Sequence, residues 1–148
     1  MNCRVQKWAP GATSGVTVAG GNGLGSAAKQ FDNPTAVAFD DAGNLYVAGS
    51  GNDRVQEWAP GATSGVTVAG GNGPGAAANQ LYSPDGVAVD AAGNVFVSDT
   101  ENSRVQEWAP GATSGVTVAG GNGLGSADNQ LDLPQHIALD YLDNVYVV

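Results

Sequence analysis

A chain of 148 residues is the size of one domain, and 23 glycines, 7 prolines and only 7% aromatics within a 42% hydrophobic content suit many short strands better than long helices. Fourteen acidic against five basic residues leave a net charge of −9, and the basic residues Arg4, Lys7, Lys29, Arg54 and Arg104 do not cluster, so nucleic acid and anionic membrane surfaces are not expected partners. The single cysteine, Cys3, rules out an intrachain disulfide and a thiolate metal site, and the polar start MNCRVQKWAP resembles neither a signal peptide nor a membrane span.

In chain order, the first predicted strand is Arg4–Trp8 and the second Val16–Ala19. The stretch RVQKWAPGATSGVTVAGGNG from Arg4 to Gly23 recurs at Arg54–Gly73 and Arg104–Gly123, with Lys7 replaced by Glu57 and Glu107. The period is therefore 50 residues, and such identity points to recent duplication. The middle repeat shows four strands most clearly. One follows a proline, Pro84–Asp90. A turn at Ala91–Gly93 leads to Asn94–Val97, the loop Asp99–Ser103 leads to Arg104–Trp108, and the loop Pro110–Ser114 leads to Gly115–Ala119. Short Val-rich runs separated by Gly, Pro, Asn and Asp are strand and turn signals, and no window carries a helical period. Four strands per repeat of this length mark a β-propeller blade.

The pattern P-x-G-V-A-V-D, then G-N-V-F-V-S-D-T, then N-x-R-V-Q resembles the NHL repeat, best at Pro84–Gln106 and well at Pro34–Gln56, where Ala36 stands for the glycine. A third copy runs from Pro134 to Val148, with His136 at the glycine position and Asp143 for the next glycine. The resemblance implies an all-β propeller, commonly six-bladed, with the strand after the proline innermost.

With strands lettered a to d from the axis outward, the residues divide into an outer half-blade at 4–20, blades at 34–70 and 84–120, and an inner half-blade at 134–148. A half-blade leaves a strand edge and an apolar face in water, both prone to pairing. Three blades are too few for a ring, and six is the only multiple of three within the usual range of about 4–8. A homodimer is thus expected, closing one six-bladed ring with two blades shared between chains. Its seam is expected to bring Arg4, Val5, Gln6 and Trp8 of one copy against Asn144, Val145, Tyr146 and Val147 of the other.

The search for chemistry yields little. Gly20–Ser26 lacks the spacing of a phosphate loop, no helix follows it, and Gly25, Gly75 or Gly125 stands where a calcium nonapeptide needs aspartate, so it reads as a tight loop between blades. His136 is the only histidine, at the start of a strand a near the channel. Some NHL-type lyases gather several channel histidines around zinc, but one per chain is too few for an ordinary zinc site. No nucleophile–base pair accompanies it. Asp99, Asn102 and Arg104, with Asn52 and Arg54 in the preceding copy, read as braces of the b–c turn, the arginine pairing with a carboxylate. Trp8, Trp58 and Trp108 read as packing between blades rather than as a surface triad for sugars or partners. Cys3, in place of Asp53 and Ser103, reads as incidental.

The copies differ mainly at Ala28–Ala36, Ala78–Gly86 and Asp128–His136, and at Ala48–Asp53 against Ser98–Ser103. These are the d–a and b–c loops of one propeller face, where a rigid ring builds a binding surface. Asp32, Asn33, Thr35, Tyr82, Ser83, Asp85, Asp132, Gln135 and His136 form the candidate face for a protein or small-molecule ligand. The expected function is a non-catalytic binding scaffold, with no cofactor and no metal. One alternative is an NHL-type lyase or hydrolase with its site in the channel. Another is a fragment or engineered piece of a longer array without activity of its own.

Overall fold

A computed structural model describes residues 2–148. These residues form twelve strands and two short 3₁₀ turns. The strands are β1 (Arg4–Lys7), β2 (Val16–Gly20), β3 (Pro34–Phe39), β4 (Leu45–Gly49), β5 (Arg54–Trp58), β6 (Val66–Gly70), β7 (Pro84–Val89), β8 (Val95–Asp99), β9 (Arg104–Trp108), β10 (Val116–Gly120), β11 (Ile137–Leu139) and β12 (Val145–Val147). They make two four-stranded antiparallel sheets, β3-β4-β5-β6 and β7-β8-β9-β10, and two two-stranded sheets, β1-β2 and β11-β12.

The 50-residue repeat is reproduced in register. Leu45 lies opposite Trp58 and Val95 opposite Trp108, while Gln56 and Gln106 face Val47 and Val97. The b strands β4 and β8 are buried along their whole length. Each is flanked by hydrogen-bonded strands on both edges and covered on both faces, which is why LYVAG and VFVSD show no polar alternation. The a–b turns follow from Asp40, Asp90 and Asp140, whose carboxylates accept the backbone N–H of Asn44, Asn94 and Asn144 at 2.8–2.9 Å. Gly43 and Gly93 take left-handed backbone in these turns, and Asp143 takes it in the third copy at φ 60°. Aspartate tolerates that region better than most side chains.

The core lies between sheets, not within one. Tyr46, Ala48, Val55 and Ala69 of the first full sheet pack against Val87, Val95, Val97 and Trp108 of the second, with Leu81 from the intervening loop. Leu45, Val47, Trp58 and the loop residue Phe31 pack the same way against Cys3 and Ala19. The Phe31 and Trp58 rings meet at 5.6 Å between centroids, a favourable tilted contact. Cys3 is therefore a small buried core residue, as free cysteines commonly are. The segment expected as a plain b–c loop contains a 3₁₀ turn, Ser50–Asn52 and Thr100–Asn102, closed by Asp53 or Ser103 in left-handed conformation.

Neighbouring repeats are stitched together by hydroxyl-to-carbonyl bonds. The Thr35 hydroxyl donates to the Pro84 carbonyl at 3.2 Å, and those of Ser98 and Thr100 donate to Gln135 and Pro134 at 2.7 Å.

Candidate functional site: the loop face and the open half-blades

Each buried arginine of a c strand reaches into the loop that enters its own blade. Arg54 donates to the carbonyls of Ser26, Ala27 and Gln30 at 2.8–3.0 Å. Arg104 repeats this with Ala76, Ala77 and Gln80 at 3.0–3.2 Å. A glutamine two residues on adds a further bond to the same loop, Gln56 to the Ala28 carbonyl at 3.1 Å and Gln106 to that of Ala78 at 3.5 Å. The backbone N–H of Gly65 and of Gly115 donates to the same two carbonyls at 2.8 and 2.7 Å. A fork of guanidinium donors suits this cluster of carbonyls because its planar geometry is fixed in advance.

Among the described residues the expected carboxylate partner exists in one blade only. Arg104 Nε donates to Asp99 at 2.7 Å, whereas Gly49 occupies that position in the preceding copy and leaves Arg54 Nε without a partner. Asp99 braces the entering loop, accepting the Tyr82 N–H at 2.7 Å and both Asn102 and Arg104. Burial pushes its carboxyl above the usual range, and those three donors pull the other way. In the first full blade Asn52 takes over, its Oδ1 accepting the Asp32 N–H at 2.6 Å. The D-x-x-N-x-R element thus holds the d–a loop more than the b–c turn. Asp99→Ala is expected to cost about 1–3 kcal/mol, because Asn102 can turn to accept the Tyr82 N–H as Asn52 does. The full stripping of a buried pair costs about 3–5 kcal/mol. The shift of the urea midpoint at constant slope measures it.

The proposed ligand-face residues lie on the d–a loops, at the starts of β3 and β7 and just before β11. Thr35, Asp85 and Gln135 occupy one repeat position, the first two on β3 and β7, which pack side by side, and Gln135 two residues before β11, which packs on β7. Tyr82, Asp132, Gln135 and the lone histidine, His136, are exposed. Asn33 and Ser83 sit in turns. Both sit at φ 49°, and the Ser83 N–H donates to Asp53 at 2.9 Å. Among the described residues no group of three His, Cys, Asp or Glu is placed to hold a metal ion.

The residues expected at a seam occupy the two open ends. Trp58 and Trp108 are 3% and 2% exposed between sheets, while Trp8 is 58% exposed. Tyr46 is 5% exposed and Tyr146 58%. β1 has no b strand on its inner edge, and β12 has no c strand on its outer edge. Trp58 and Trp108 thus pack between blades in both complete blades.

Four-stranded antiparallel blades packed face to face about their first strands define a β-propeller repeat protein. The NHL repeat family model matches residues 81–108, spanning β7 to β9. The beta-propeller repeat model matches residues 24–53, spanning the entering loop, β3 and β4. Both matches support an NHL-repeat β-propeller family for the chain. No curated protein matches it.

Proposed function

We propose that this chain is a non-catalytic binding scaffold whose two half-blades are completed by a second copy, giving a six-bladed ring with its loop face open to a protein or small-molecule ligand. Arg4 carries this reading. It aligns with Arg54 and Arg104, yet it is exposed and makes no side-chain hydrogen bond among the described residues. The third entering loop, which aligns with those held by Arg54 and Arg104, receives no arginine. Shifted by the repeat, the partners of Arg4 are the carbonyls of Ser126, Ala127 and Gln130 in a second copy, with Gln6 and Gly15 on that of Asp128.

The exposed tryptophan has a matching seat. Ala19 and Ala69 are buried beneath Trp58 and Trp108, while their counterpart Ala119 is half-buried and its neighbour Val118 is exposed. Trp8 of a second copy covers that place. The register of the complete blades, carried across, sets Val145 opposite Trp8, Tyr146 opposite Lys7 and Val147 opposite Gln6.

Light scattering at micromolar concentration is expected to give twice 14.7 kDa. Arg4→Ala removes the same anchor from both seams of a two-fold pair and is expected to shift the mass toward that of one chain. A monodisperse single-chain mass for the parent protein, or an odd multiple, overturns the pairing.

A further inference from the structure

The seam that this reading calls for is not a plain copy of the contacts within the chain, and one of its differences reverses a charge on the c strand. In the first complete blade Tyr46 lies opposite Glu57. Its hydroxyl donates to Asp40 Oδ2 at 3.2 Å. Burial, Glu57 and Asp40 together push that hydroxyl up to about 12. Two carboxylates therefore bear on one phenol. In the second blade Phe96 lies opposite Glu107. The third copy restores the tyrosine, and the Tyr146 hydroxyl donates to Asp140 Oδ2 at 3.2 Å. The c strand that lacks an inner neighbour carries Lys7 where the other two carry glutamate.

A groove marks where the tyrosine goes. Lys7, Val18, Phe39, Gly43, Leu45 and Pro60 are among the residues around a space of about 420 Å³ between β1 and the first full sheet. The repeat counterparts of these residues, among them Glu57, Val68, Gly93, Val95 and Pro110, surround only about 140 Å³, and Tyr46 forms part of that wall. Phe39 is 63% exposed beside the larger space. It continues inward as a cleft of about 270 Å³ between Arg4–Gln6 and Pro34–Val37. The groove has the shape of the intrachain contact with its tyrosine and inner strands taken away.

We propose that Tyr146 of a second copy fills this groove and that Lys7 selects it, meeting the Asp140–Tyr146 pair with a positive charge where the contacts within the chain present a carboxylate. This rests on the pairing proposed above. Two chains of net charge −9 repel one another at long range. A local attraction at each of two seams offsets part of that repulsion and favours this hairpin over an off-register edge.

The test measures dissociation constants by sedimentation for the parent chain, Lys7→Glu, Lys7→Met and Tyr146→Ala. Lys7→Glu restores the residue that the other two repeats already fold with, so its effect reports on association. At low salt it is expected to weaken the dimer about tenfold or more, and at about 1 M salt, where the Debye length is ~3 Å, the gap is expected to shrink to about threefold or less. Lys7→Met is expected to fall between the two with little dependence on salt, and Tyr146→Ala to weaken the dimer at every salt concentration. Equal constants for the parent and Lys7→Glu at low salt overturn the charge selection while the dimer stands. A single-chain mass for the parent overturns the pairing beneath it.

Discussion

Trp108→Ala is expected to lower the free energy of unfolding by about 3 kcal/mol, near the lower end of the range for emptying a buried aromatic site. The indole sits between the two full sheets among Tyr46, Ala69 and Leu81, and a Cβ at Gly115 would run into its Nε1 edge, so the site is closely filled on that side too. The loss stays near the lower end because that buried N–H has no hydrogen-bond partner, and removing it relieves a cost of about 1 kcal/mol or more. Urea unfolding followed by circular dichroism reads the change. Trp8→Ala provides the contrast. It alters the same repeat position but empties no site within the chain, so its expected effect falls on association rather than on single-chain stability. Equal losses of single-chain stability for the two variants contradict the assignment of Trp8 to a seam.

Deleting residues 144–148 is expected to abolish the dimer and produce aggregates. The deletion removes β12, and with it the strand pairing of Ile137, Ala138 and Leu139 and the Val148 carbonyl that accepts the Gln135 and His136 N–H groups. It also leaves β1 of a second copy with no b strand to join. Unpaired strand edges beside apolar grooves recruit other chains. Size-exclusion chromatography with light scattering checks this. A soluble, folded dimer that survives the deletion contradicts the seam.

The strands and their sheets were legible because a period of 50 residues aligns three copies of nearly the same stretch, so turn residues and Val-rich runs reinforce one another. The pairing of tryptophan with the b strand, the packing between blades and the turns at Asp40, Asp90 and Asp140 follow from local chemistry that each copy repeats. The arginine site was harder to read. Sequence spacing places Asp99, Asn102 and Arg104 close together, but it does not say that the guanidinium spends its other donors on carbonyls 24 to 28 residues earlier. Backbone carbonyls leave no mark on residue identity. The same holds for Cys3, whose burial depends on Phe31 and Trp58 arriving from elsewhere in the chain.

Sequence alone therefore determined the repeat, the four-strand unit, the acidic surface and the division into half and whole blades, since these depend on periodicity, turn chemistry and charge counts. Only the tertiary structure decided which copies have their partners. Arg4, Arg54 and Arg104 sit in nearly the same local sequence, as do Trp8, Trp58 and Trp108. Two of each are buried and one is exposed, because burial is set by the neighbouring blade and not by the residue's own strand. A propeller blade stores half of its core on the next blade, so identical sequences become core or open surface according to what stands beside them.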